Sequence, residues 1–234
     1  MKILSFDVGI KNLAYCLIEF NNKDCKDHKI LDWNIINCSK EVSTCCVCKK
    51  GRLCEKPAIN YIMVGDKTLG FCKLVTCQKE LNTTYSKSIV KKFKKENFSL
   101  ETIGRILYSE LEKLDIFLSA DVIIIENQPV LKNPTMKSVQ MLIYSFFLYK
   151  KCCSNFKYEI KLFNAGKKLK VYQGPEIDSS HLKGKYNQRK YESIKCTEYF
   201  IKEYNENYDK FFTNSKKKDD LADSYMQGLT FYFK

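Results

Sequence analysis

The chain has 234 residues and a mass of 27.4 kDa, enough for one large domain with its own core. Hydrophobic residues at 44% and charged residues at 29% exclude a chain disordered throughout, and no apolar run approaches the ~18 residues of a membrane span. Forty Lys and Arg against 27 Asp and Glu give a net charge of +13, which attracts polyanions, nucleic acid above all, through the field and counterion release. Asp7 interrupts the N-terminal apolar run, so no secretory signal is expected and the protein is read as intracellular, not secreted. Disulfides are then disfavoured despite 12 Cys.

Lys2–Asp7 reads as a buried strand carrying Ile3, Leu4 and Phe6. A tight turn at Gly9-Ile10-Lys11-Asn12 leads to a second strand, Leu13–Phe20, and a third is expected at Lys29–Ile36. Six of the cysteines then fall between Cys45 and Cys77, in a stretch read as an insertion at about 42–80. Clustered intracellular thiols point to metal, and one structural zinc takes four. Cys45 and Cys48 form a C-x2-C pair, Cys72 and Cys77 a looser C-x4-C, and Cys54 lies between. Five candidates compete for four positions, and the choice among them stays open.

Ser99–Leu118 has the helical repeat Leu100, Ile103, Leu107, Leu111, Leu114, Leu118, with Ser99 as N-cap. Asp121–Glu126 is a continuous β-branched run, suited to a central parallel strand. Helices are expected at Met136–Lys150, Gln188–Tyr204 and Asp219–Phe231, and a further strand within Tyr158–Tyr172. Three antiparallel strands followed by alternating helix and strand argue for an α/β fold with a mixed sheet.

Four acids fall at element ends. Asp7 closes the first strand, Glu126 closes the Ile-rich strand, and Asp220 and Asp223 open the last helix about 60° apart on its surface. Singly, each reads as a turn or capping acid. Together, on so basic a chain, they suggest a cation site, since clustered carboxylates repel unless neutralised. Mg²⁺ takes hard oxygen ligands, and two such ions about 4 Å apart can clamp both oxygens in phosphodiester cleavage.

The segments Phe6-Asp7-Val8-Gly9-Ile10-Lys11-Asn12, Ile125-Glu126-Asn127-Gln128-Pro129 and Asp220-Leu221-Ala222-Asp223-Ser224 resemble the RuvC-like Holliday junction resolvases, most closely the branch of poxviruses and other large cytoplasmic DNA viruses. The resemblance implies a ribonuclease-H-like, mixed five-stranded sheet flanked by helices over residues 1–234, with the Cys-rich element inserted. It implies that Asp7, Glu126, Asp220 and Asp223 bind Mg²⁺ or Mn²⁺, about two ions per site, and cut DNA. It further implies a homodimer acting on four-way and other branched DNA in viral recombination and replication. The setting implied is the cytoplasm of an infected host cell, with no membrane and no small-molecule substrate. Asp219 is an alternative to Asp220, and the spacing to Asp223 favours Asp220.

Residues 158–218 hold 14 Lys and Arg against eight Asp and Glu. The expected phosphate contacts are Lys11, Lys132, Lys167, Lys168, Lys185, Arg189, Lys190, Lys216, Lys217 and Lys218. The run Tyr186-Asn187-Gln188-Arg189-Lys190 is similar to a basic resolvase motif in which a lysine near a helix start meets the scissile phosphate, and this implies a catalytic role for Lys190. Two other functions compete. A non-catalytic, zinc-bearing nucleic-acid-binding protein would leave the acids without a task. An actin-like or sugar-kinase-like ATPase would need a second Gly-rich loop, which a chain with nine glycines does not show.

Overall fold

The computed structural model describes residues 1–21, 28–39, 44–49, 51–92, 99–131, 133–154, 156–164 and 168–234. It divides into two compact units. One joins Met1–Ser39 to Ser99–Lys234, and the other is Lys40–Phe98.

The larger unit is built on a five-stranded sheet. Strands β1 (Lys2–Asp7), β2 (Leu13–Phe20) and β3 (His28–Ile36) run antiparallel in sequence. In the smaller unit, β4 (Cys48–Lys49) pairs with β5 (Arg52–Leu53). There β6 (Ala58–Val64) pairs with β7 (Lys67–Cys72) and β8 (Lys91–Lys92), with helix α1 (Val75–Thr84) between β7 and β8. The larger unit resumes with α2 (Leu100–Leu111), β9 (Val122–Glu126), α3 (Pro134–Cys153), β10 (Glu159–Phe163), α4 (Lys185–Tyr204), α5 (Asp209–Asn214) and α6 (Lys218–Tyr232). Its strand order is β10-β9-β1-β2-β3, with β1 parallel to β9 and β9 parallel to β10.

The alternation of side chains along strands sorts the core. Ile3 of β1 and Val122 and Ile124 of β9 face a cluster with Leu221, Ala222, Tyr225, Met226 and Leu229 of α6. Phe6 turns to the opposite layer, where its ring meets Phe117 and Phe147. Asp7 and Glu126 continue the alternation of the first set, so both end their strands on the side covered by α6.

Helix α6 is anchored against the sheet by polar contacts as well as apolar ones. Gln227 Nε2 donates to Ser5 Oγ and to the Phe6 carbonyl, each at 3.1 Å, and Trp33 Nε1 donates to the Leu221 carbonyl at 3.1 Å. A Cβ on Gly228 would lie 2.7 Å from Ile18 Cδ1, so the helix backbone rides close to β2.

The expected helix Ser99–Leu118 is shorter in the structure. Ser99 caps it, accepting a hydrogen bond from the Thr102 N–H at 3.1 Å, but α2 stops at Leu111 and a 3-10 turn, Asp115–Ser119, follows. That turn buries Phe117 in the core. The strand expected within Tyr158–Tyr172 is confined to β10, where pairing with β9 ends at Glu126. Among the described residues, no helix is long and apolar enough to cross a membrane.

Candidate functional site

The register Phe6↔Ile125 brings the next residues on both strands, Asp7 and Glu126, to neighbouring C-terminal strand ends. The turn beyond Asp7 is tight, since a Cβ on Gly9 would lie 2.4 Å from the Asn12 carbonyl oxygen. Asp220 and Asp223 on the first turns of α6 line the same cavity, of about 730 Å³, together with Val8, Gln128, Lys168, Tyr186, Arg189, Lys190 and Ser193. Tyr186, Arg189, Lys190 and Ser193 recur at i, i+3, i+4 and i+7, so one face of α4 forms a wall of the cavity.

Lys168 occupies the middle of the acids. Its ammonium lies 3.4 Å from Asp7 Oδ1, 3.3 Å from Asp223 Oδ2 and 3.6 Å from Glu126 Oε1, and the residue is only 7% exposed. Lys168, expected as a phosphate contact, here faces three carboxyl groups, the counterions that a buried ammonium needs, while still lining the cavity. Thr230 Oγ1 donates to the Lys168 carbonyl at 2.5 Å, fixing that backbone to α6. Burial opposes the charge of Lys168, but Asp7, Asp223 and Glu126 outweigh it and raise its pKa.

Burial pushes Asp7 up to about 8, against the attraction of Lys168 and with repulsion from Glu126. Burial also raises Asp220 to about 6, with Asp219 and Asp7 adding repulsion. Asp223 is raised by burial too, while Lys168 and a 2.9 Å hydrogen bond from Ser193 Oγ pull the other way. Gln128 Nε2 donates to Glu126 Oε2 at 2.8 Å. Asp220 Oδ2 is buried without a hydrogen-bond partner. A hard, oxygen-only donor set with one buried oxygen unspent suits a divalent cation.

Asp219 faces differently from Asp220. It forms an ion pair with Lys190, whose ammonium also sits 5.0 Å from the centre of the Tyr186 ring. Lys11, Lys185, Arg189, Lys216 and Lys217 are exposed, and Lys218 is half-buried. Lys132 and Lys167 lie outside the described residues.

In the smaller unit, the sulfurs of Cys45, Cys54, Cys72 and Cys77 all lie within 4.8 Å of one another. Cys54 Sγ is 3.7 Å from Cys72 Sγ and 3.8 Å from Cys77 Sγ. Tetrahedral zinc with bonds of about 2.3 Å to sulfur has S···S edges of about 3.8 Å. Cys48 is exposed and does not join the cluster, so the C-x2-C pairing with Cys45 is not formed. The cause is local: Cys48 is taken up in the β4–β5 ladder opposite Leu53. The chain then returns through Cys54 N–H to Val47 carbonyl (2.8 Å) and Glu55 N–H to Cys45 carbonyl (3.2 Å), which brings Cys54 beside Cys45. Burial opposes ionisation of Cys72, but a backbone hydrogen bond from Leu74 and the Cys54, Cys77 and Cys45 thiols lower its pKa.

Residues 3–130 match the family model described as mitochondrial resolvase Ydc2 / RNA splicing MRS1, a span that includes both Asp7 and Glu126. The chain belongs to that family. An uncharacterised protein of Acanthamoeba polyphaga mimivirus is 29% identical, over 97% of this chain and 74% of the relative. Among solved structures, the yeast mitochondrial Holliday junction resolvase Ydc2 is 15% identical with a TM-score of 0.53, covering 99% of this chain and 78% of that one. The fowlpox virus resolvase, solved with Holliday junction DNA, is 19% identical with a TM-score of 0.51, covering 99% and 97%. The mixed sheet and its flanking helices are thus the ribonuclease-H-like fold of these proteins.

Neither Gln128 nor Ser193 stands out from the sequence as a site residue. Ser193 was legible in principle, standing one helical turn beyond Arg189 and Lys190 on the same face.

Proposed function

We propose that this chain is a divalent-metal-dependent endonuclease that resolves four-way DNA junctions by paired phosphodiester cleavage. The observation that carries the reading is the convergence of Asp7 and Glu126, at neighbouring strand ends, with Asp220 and Asp223 of α6 in one cavity walled by the basic face of α4. The family match and the folds of two resolvases support it.

The roles follow from the chemistry of the side chains. Asp7, Glu126, Asp220 and Asp223 would hold Mg²⁺ or Mn²⁺. When bound, such ions neutralise developing charge on the phosphate and lower the pKa of a water. Ser193 and Gln128 orient Asp223 and Glu126 through their hydrogen bonds. Lys168 keeps the acids assembled by offsetting their mutual repulsion. Arg189, Lys190 and the exposed Tyr186 line the approach, where cations attract and orient a phosphate backbone.

The enzyme would act as a homodimer, because a two-fold junction cut symmetrically suits a two-fold protein. Its place of work would be the cytoplasm of an infected cell, a setting that the viral origin of one relative supports only as far as infection. Cys45, Cys54, Cys72 and Cys77 would hold one structural zinc.

The test is incubation with labelled four-way junctions in Mg²⁺ or Mn²⁺, beside matched duplex and an assay of ATP hydrolysis. Paired nicks near the branch point, little cutting of duplex and no ATP turnover are expected. Junction binding without any cutting would make the chain a non-catalytic nucleic-acid-binding protein.

A further inference from the structure

The +13 charge is unevenly spread. Residues 40–98 hold 13 Lys and Arg against five Asp and Glu, a net +8. All eight described cations of this unit whose side chains are described are exposed: Arg52, Lys56, Lys67, Lys73, Lys79, Lys87, Lys91 and Lys92. Among the described residues, none of the ion pairs lies in this unit. In the larger unit, Lys113, Lys150, Lys161 and Lys195 are each spent on a neighbouring carboxylate.

The placement of these cations follows the thiolate cluster. Lys56 stands two residues after Cys54, Lys73 directly after Cys72, and Lys79 two after Cys77. Lys91 and Lys92 form β8, in register with Tyr61 and Asn60 of β6. A centre that fixes the sulfurs also fixes the backbone from which these lysines project. Closing a tetrathiolate around Zn²⁺ subtracts two charges from the +8 and leaves a net charge of +6.

We propose that the Lys40–Phe98 unit is a zinc-closed, sequence-independent clamp for the phosphate backbone of a DNA duplex, engaging an arm of the junction. The proposal rests on the junction as substrate. Unpaired, exposed lysines on a short rigid unit release counterions from DNA, whereas paired ones first lose a carboxylate partner. Phosphate contacts of this kind position a duplex without reading bases, which suits an enzyme directed to branches.

The test measures binding of the full-length protein to a four-way junction across a KCl series, with Ca²⁺ replacing Mg²⁺ to hold off cutting. Two double variants, Lys91→Gln with Lys92→Gln and Lys56→Gln with Lys73→Gln, are compared with a control, Lys113→Gln with Lys161→Gln, that removes equal charge from the larger unit. Zinc content at the wild-type level certifies that the unit is folded. The clamp variants should lower the slope of log affinity against log salt by about 1 per contact removed. They should also weaken binding on the order of tenfold at ~0.1 M salt, whereas the control should leave the slope as it is. Wild-type slopes in both clamp variants, or an equal loss in the control, overturn the proposal while the nuclease reading stands on the cutting assay. A wild-type protein that does not bind the junction overturns both.

Discussion

Ser193 Oγ donates a 2.9 Å hydrogen bond to Asp223 Oδ1 and so ties the acid of α6 to the basic face of α4. Asp223 has no other side-chain orienter among the described residues except Lys168, which is shared with Asp7 and Glu126. Outer groups that aim a metal-binding carboxylate are worth about 10–100-fold in metal affinity or activity. Ser193→Ala should therefore cut junctions about 10–100-fold more slowly at limiting Mg²⁺ and recover part of the loss as Mg²⁺ is raised. Unchanged metal dependence would remove Ser193 from the site.

Lys168 gives a stability prediction. Replacing it by Met leaves three carboxylates close together with no cation among them. Removing one partner of a buried ion pair costs about 3–5 kcal/mol, less where the stranded acids can take up protons. Lys168→Met should melt well below wild type in a chelating buffer and regain stability when Mg²⁺ or Mn²⁺ is added. Thermal melts with and without metal decide it. Equal melting of the two proteins in chelator would mean that the amine does not hold the acids together.

Gly9 gives a third. A Cβ there would meet the Asn12 carbonyl oxygen at 2.4 Å, and backbone cannot swing aside as a side-chain end can. Gly9→Ala should cost about 1–3 kcal/mol through overpacking and should slow cutting, because the displaced turn begins two residues after Asp7. Denaturant unfolding and the junction assay read the two effects separately.

These residues also mark what the sequence could tell. Apolar runs that end in an acid marked Asp7 and Glu126 as strand ends, and the i, i+3 spacing put Asp220 and Asp223 on one stretch of helix, because these are local rules; that Asp7 and Glu126 share a side follows only from the register of β1 on β9. Lys168 was opaque. Its neighbours Lys167 and Lys170 make it one lysine in a surface-like run, and only the tertiary closure of β1, β9 and α6 around it makes it a buried counterion. The thiolates divide in the same way. Spacing alone favours Cys45 with Cys48, but a two-residue strand pairing turns Cys48 outward and delivers Cys54 instead.

That exchange makes the zinc prediction sharp. Protein prepared without chelator should carry one zinc per chain, the number a single tetrathiolate centre holds. Cys48→Ser should keep it, and Cys54→Ser or Cys72→Ser should lose it and loosen the small unit, because structural zinc supplies folding energy directly. Elemental analysis of the three variants checks the assignment. Loss of zinc in Cys48→Ser with retention in Cys54→Ser would reverse the ligand set, and disulfides in place of metal would show as thiols missing from a titration.

The neighbouring acids Asp219 and Asp220 give the most discriminating comparison. Asp219 is committed to Lys190 in an ion pair, and its pKa is lowered, burial being outweighed by the Lys190 hydrogen bond and charge. Asp220 has an oxygen buried without a partner, and its carboxyl is raised to about 6 by burial and by the charges of Asp219 and Asp7. An acid in that state gains most from an added cation. The amide in Asp220→Asn keeps the size of the side chain, withdraws the charge and offers an N–H₂ where a cation would sit. Cutting should fall by more than the ~100-fold upper range of outer groups, with junction binding retained or tightened as repulsion of phosphate declines. Asp219→Asn should be milder, because it releases Lys190 without removing a ligand, and its effect should disappear in a Lys190→Ala background. Kinetics of the two single variants and the double variant read this directly. A dead Asp219→Asn beside an active Asp220→Asn would move the metal-binding acid by one residue, and free cutting by both would leave Asp223 as the one acid of α6 at the site.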